Sequence, residues 1–190
     1  MKKLALATLV AASLSSAVAF ADADSYIIDG NHSMPRFEYI LLGHFTQLSR
    51  FDKATGKITL DRAAKTGSVD VVIDATSVNT GYSLLDTNLQ DVDFFDTAKY
   101  PTITFKSSSV KFEGDNLVAV DGDLTVKGVT KPVTLTIVSF LCTPHPMLKK
   151  ETCEATATTK IKRTEFNAGK YAPYVSDDVI LTIPIEAVKE

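Results

Sequence analysis

The 190-residue chain contains no cluster of Lys or Arg, and its formal net charge is −3. A mildly acidic chain without a basic patch argues against nucleic acid and anionic membrane surfaces as partners. Beyond the N-terminus no apolar run approaches the roughly 20 residues that a helix needs to cross a bilayer, so the rest of the chain is not membrane-spanning. His occurs three times, at His32, His44 and His145, with no H-x-x-x-H spacing, and there are only two cysteines. Neither pattern supplies a zinc ligand set, so no metal is expected. G-x-S-x-G, a glycine-rich phosphate loop and a Cys with a recognisable His partner are all missing. No catalytic residue and no cofactor are therefore expected, and the chain is not read as an enzyme. The acidic run Asp86, Asp91, Asp93, Asp96 lacks the order of a calcium loop and reads as a solvated helix face.

The first 21 residues read as a secretory leader: Lys2 and Lys3, a mostly apolar stretch from Leu4 to Val18, and Ala19-Phe20-Ala21 at the small-residue cleavage positions. Cleavage there makes residues 22–190 the mature chain, with a charge of 18 − 23 = −5, and implies export. With no internal repeat, low-complexity tract or linker, 22–190 reads as a single domain. Cys142 and Cys153, an even count in an exported chain, are expected to form a structural disulfide, with Thr143–Thr152 as the loop between two strands and His145 exposed within it.

The mature chain reads as strand after strand, in period-two alternation. Phe37, Tyr39 and Leu41 share one face; so do Val69, Val71 and Ile73, then Leu124 and Val126, then Val133, Leu135 and Ile137, then Val179, Leu181, Ile183 and Ile185. Thr55-Gly56 reads as a hairpin between Leu48–Asp52 and Lys57–Asp61, and Gly128–Pro132 as another. One stretch is helical: from Tyr82 to Phe95, Leu85, Leu89, Val92 and Phe95 fall on one face. Pattern alone leaves a sandwich and a closed barrel both open.

Several motifs in order resemble the YceI-like family. They are His32-Ser33 shortly before Phe37, Asp93-Phe94-Phe95-Asp96, Tyr100–Phe105, Gly122–Val133, and Arg163-Thr164-Glu165-Phe166 ahead of Val175–Val179. The resemblance runs from about Tyr26 to Ala187. It implies an all-β fold: an antiparallel eight-stranded, extended lipocalin-like barrel, with the short amphipathic helix at or across its end. It also implies a periplasmic protein whose barrel holds a polyisoprenoid or another long-chain lipid. The chain departs from the family at Leu41-Leu42-Gly43, where a His often begins the pattern; here His44 follows three residues on.

Residues expected to meet such a ligand are the bulky inward ones: Phe37, Tyr39, Leu41, Phe51, Ile58, Leu89, Phe105, Leu124, Leu135, Ile137, Ile161 and Ile183. Two functional classes stay open. One is a lipid-binding protein for transport, storage or sensing; the other is a non-enzymatic stress-response or interaction protein that uses the barrel as a scaffold. A homodimer is compatible with either.

Overall fold

Period-two alternation produces eleven strands and one α-helix within residues 23–190, the part of the chain that the computed structural model describes. The expected leader at 1–21 lies outside the described residues. The strands are β1 (Asp24–Ile28), β2 (Arg36–Leu41), β3 (Phe45–Phe51), β4 (Ala54–Asp61), β5 (Thr66–Asp74) and β6 (Val78–Asn79). After the helix α1 (Ser83–Gln90) come β7 (Thr102–Glu113), β8 (Asn116–Val126), β9 (Val129–Pro144), β10 (Glu151–Lys162) and β11 (Asp178–Lys189).

Eight of these close into an antiparallel barrel in the order β1-β4-β5-β7-β8-β9-β10-β11, with β1 returning to β11. The remaining three lengthen one wall. β2 pairs with the first part of β11, β3 with β2, and β6 with β3. Thus β1–β2, β3–β4 and β5–β6 are long strands, each broken by a bend, at residues 29–35, 52–53 and 75–77. The bends are tied together by hydrogen bonds. The Phe51 N–H donates to Pro35 O, the Asp74 N–H to Lys53 O, the Asp52 N–H to Ser77 O, and Asn79 Nδ2 to Asp52.

This arrangement corrects the hairpin at Thr55-Gly56. Both residues lie inside β4, which pairs with β1 and β5, whereas β3 pairs with β2 and β6. The glycine marks close packing instead of a turn: a Cβ on Gly56 would stand 2.3 Å from Asp70 O and 2.9 Å from Ile28 Cδ1. The turn between β8 and β9 is also shorter than Gly128–Pro132. It consists of Lys127-Gly128, both at positive φ (49° and 73°), and Pro132 already sits in β9 opposite Asp123.

The helix ends sooner than its pattern implies. Asp91 is already extended (φ −66°, ψ 164°), and Val92 is 67% exposed instead of facing the core. Phe94 and Phe95 would stand about 100° apart on a continuing helix. The turn that replaces it lets both rings reach the interior. Cys142 and Cys153 are bonded, and they are cross-strand partners on β9 and β10. The ladder extends to Pro144 and Glu151, so the loop is shorter than Thr143–Thr152. Within it His145 is half-buried, its Nδ1 accepting the N–H groups of Met147 and Leu148.

Candidate ligand-binding site

Inward positions of every barrel strand converge on a cavity of about 530 Å³, within the range of small-molecule sites. Its walls are apolar side chains over nearly their whole area. The twelve residues singled out from the sequence all line it: Phe37, Tyr39 and Leu41 from β2, Phe51 from β3, Ile58 from β4, Leu89 from α1, Phe105 from β7, Leu124 from β8, Leu135 and Ile137 from β9, Ile161 from β10, and Ile183 from β11. Small inward residues leave the room. Ala155 stands opposite Phe140 and Ile185, Ala157 opposite Ile137 and Ile183, and Ala187 between Ile28 and Cys153.

One end is closed by a polar plug. Tyr26, 1% exposed, donates its hydroxyl to Glu151 Oε1 at 2.6 Å, and Arg62 Nη2 lies 2.9 Å from both carboxylate oxygens. The Tyr26 bond, then Arg62, holds the Glu151 carboxyl below the usual carboxylate range. Burial, reinforced by that carboxylate, pushes the Tyr26 phenol well above its ordinary value.

The other end is the mouth. It lies between α1 with the turn after it and the segment that connects β10 to β11. Phe95 fits edge-on against Phe37 (centroids 5.8 Å apart, 87°) and Phe51 (5.4 Å, 65°), forming an aromatic floor beneath the helix. Across the opening Lys170 pairs with Asp93, and the Phe94 and Tyr171 rings approach to 6.2 Å. Lys127 Nζ, projecting from the tight turn between β8 and β9, donates to Val92 O at 2.6 Å and Asn167 O at 2.7 Å. One ammonium thereby fastens both flanks of the mouth.

Arg163 organises the second flank. It is 9% exposed, and its guanidinium donates to the carbonyls of Ala168, Lys170, Val175 and Ser176 at 2.7–2.8 Å. Burial lowers its pKa from the usual value, and a guanidinium remains charged regardless. Burial also pushes the Tyr39 phenol upward. These two, with Arg36, Asn88, Asp91, Asp93 and Lys170, put polar groups at one end of an otherwise apolar tube.

Tyr26, Ile103, Phe94, Phe166, Arg163 and Tyr171, outside the twelve expected from the sequence, also line the cavity. Alternation around Ile103 could have found that residue; Arg163 and Tyr171 sit in a segment without any period. Of the departures from the family pattern, Leu41 faces the cavity, and His44 sits exposed in the turn between β2 and β3. No histidine is among the described lining residues, and Cys153, which is, belongs to the disulfide. Asp86, read as part of a solvated face, is half-buried and accepts from the N–H and hydroxyl of Thr80.

The family model of the YceI-like domain matches residues 26–187. Protein YceI of Escherichia coli O17:K52:H18 is 38% identical over 193 residues, the full length of both chains. A UPF0312 protein of Shewanella denitrificans is 40% identical over 138 residues, 71% of this chain and 72% of that one. Among solved structures, Burkholderia cenocepacia BcnA aligns with a TM-score of 0.73 at 25% identity, over 84% of this chain and 98% of that one. The YceI protein of Campylobacter jejuni gives 0.66 at 31% identity, over 75% and 84%. A domain of Saccharophagus degradans described as polyisoprenoid binding gives 0.62 at 19% identity, over 87% and 98%, a likeness of fold.

Proposed function

The chain belongs to the YceI-like family, and we propose that its barrel holds a long-chain apolar ligand, a polyisoprenoid or related amphiphile, in the periplasm. The observation that carries this reading is the cavity itself. It is a tube with hydrocarbon walls, polar groups at the mouth and a plugged far end, which suits an apolar tail with a polar head. The polyisoprenoid-binding domain of similar fold supports it, and the leader-like sequence at residues 1–21 supports the location. Binding and release are the whole activity in this reading, with no bond made or broken.

Magnitudes favour a long tail. At about 0.3 kcal/mol per heavy atom, a tail of ~20 carbons gains ~6 kcal/mol, a Kd of tens of micromolar. A ~40-carbon chain reaches nanomolar affinity on the same scale. Solvent extraction of protein purified from the periplasm, followed by lipid mass spectrometry, tests the proposal. Stoichiometric long-chain lipid is the expected result, lost in an Ala157→Trp variant that fills the tube from β10. Protein that carries no lipid and takes up no polyprenol would leave the barrel as a scaffold for other interactions.

A further inference from the structure

On the outer wall, away from the cavity, Asp29, His32 and Glu186 bring one donor atom each to within 4.8 Å of one another. His32 Nδ1 lies 3.2 Å from Asp29 Oδ2 and 3.4 Å from Glu186 Oε2. Two donors each about 2.1 Å from one zinc ion, at a tetrahedral angle, stand about 3.4 Å apart. Both imidazole–carboxylate distances fall close to that separation, and all three donor atoms lie within 4.8 Å of one another.

The surroundings hold these groups in place. Asp29 Oδ1 accepts from the Asn31 N–H and Nδ2 at 2.9 and 3.0 Å, leaving Oδ2 to face His32. The Asp29 N–H donates to Glu186 O. Ser33, fully buried, accepts the Glu186 N–H at 2.9 Å and donates to its carbonyl at 3.2 Å. The Asn31 bonds orient the Asp29 carboxylate as outer partners orient metal ligands, and the bonds from Asp29 and Ser33 fix the main chain of Glu186.

Charge points the same way. Glu154 on β10 is the cross-strand partner of Glu186, and like charges directly opposite each other destabilise a sheet. Among the described residues no Lys or Arg nitrogen lies within 4 Å of Asp29, Glu186 or Glu154 in an ion pair. Two carboxylates thus face one imidazole, and a third, Glu154, shares with His32 and Glu186 the lining of a hollow of about 170 Å³. We propose that Asp29, His32 and Glu186 bind a divalent transition-metal ion of the imidazole-preferring class, zinc foremost, with Glu154 or water completing the shell from the hollow. The ion clips the bend between β1 and β2 to β11.

The test is calorimetric titration of chelator-stripped protein with zinc chloride alone. Saturable binding of one equivalent is expected. It should weaken at least tenfold in His32→Ala and in Glu186→Gln, and remain unchanged in His44→Ala and His145→Ala. Thermal midpoints should rise with zinc in the parent protein and stay fixed in His32→Ala. Zinc-induced shifts of the His32 imidazole resonances in the unaltered protein give the same reading without relying on a variant. Absence of saturation at millimolar zinc, or equal affinity in His32→Ala, would overturn the site. Calcium binding as tight as zinc and indifferent to His32 would overturn it too, reducing the cluster to surface acidity.

Discussion

Asp93, just past the end of α1, forms an ion pair with Lys170 in the segment before β11, directly across the mouth of the cavity. The two belong to the separate flanks of the opening, so the pair bears on access more than on folding. Both side chains are more than a third exposed, and exposed pairs contribute about 0–1 kcal/mol. Lys170→Ala should therefore leave chemical denaturation within about 1 kcal/mol of the parent. Release of a bound fluorescent polyprenyl probe should quicken by up to about fivefold, as a barrier lowered by up to ~1 kcal/mol allows. Stopped-flow dilution reads the rate.

Leu89 and Val92, three positions apart on the apolar face read from the sequence, should respond in opposite ways. Leu89 is 6% exposed beneath the helix, and Leu89→Ala should cost about 2–5 kcal/mol. Val92, turned to solvent where the helix has ended, should tolerate alanine within about 0.5 kcal/mol. Urea unfolding of the two variants decides the point.

The plug at the closed end predicts the shape of the pH–stability curve. Glu151 has a lowered carboxyl in the folded state, so its contribution is present above the unfolded value of about 4.3 and fades as pH falls through the lowered one. Tyr26 has a raised phenol, so its contribution is present below about 10 and fades as pH climbs through the raised value. Tyr26→Phe should cost about 1–3 kcal/mol at neutral pH and make both flanks shallower. Thermal melts from pH 3 to 11 check this.

The Cys142–Cys153 bridge closes a short loop, with a sequence separation of 11. The chain-entropy relation gives roughly 3 kcal/mol for such a closure. Denatured, unreduced protein should titrate with no free thiol, and Cys142→Ala/Cys153→Ala should lower stability by up to that amount.

Strand faces were legible because alternation is a local property: the side of β2 that carries Phe37, Tyr39 and Leu41 follows from the pleat alone. The presence of a cavity was not, since it depends on summed volumes across the barrel, and Ala155, Ala157 and Ala187 make room only in relation to strands far away in sequence. The corner at Asp52-Lys53 contains neither Gly nor Pro, so it left no mark. Gly56 looked like a turn but serves the close passage of β5. The Asp29–His32–Glu186 cluster has no spacing to recognise, because β1 meets β11 only when the barrel closes.

The three bends have a mechanical consequence. β7 to β11 form a back of long strands whose ladders are broken only by local register shifts, whereas the wall of β1 to β6 is jointed by the three bends. No ladder joins β6 to β7 among the described residues, and α1 fills that seam by side-chain packing. A cylinder built this way is anisotropic in its compliance. Compliance should concentrate in the jointed front, so amides of β2, β3 and β6 should exchange with solvent sooner than those of β8 and β9 when read by hydrogen–deuterium exchange.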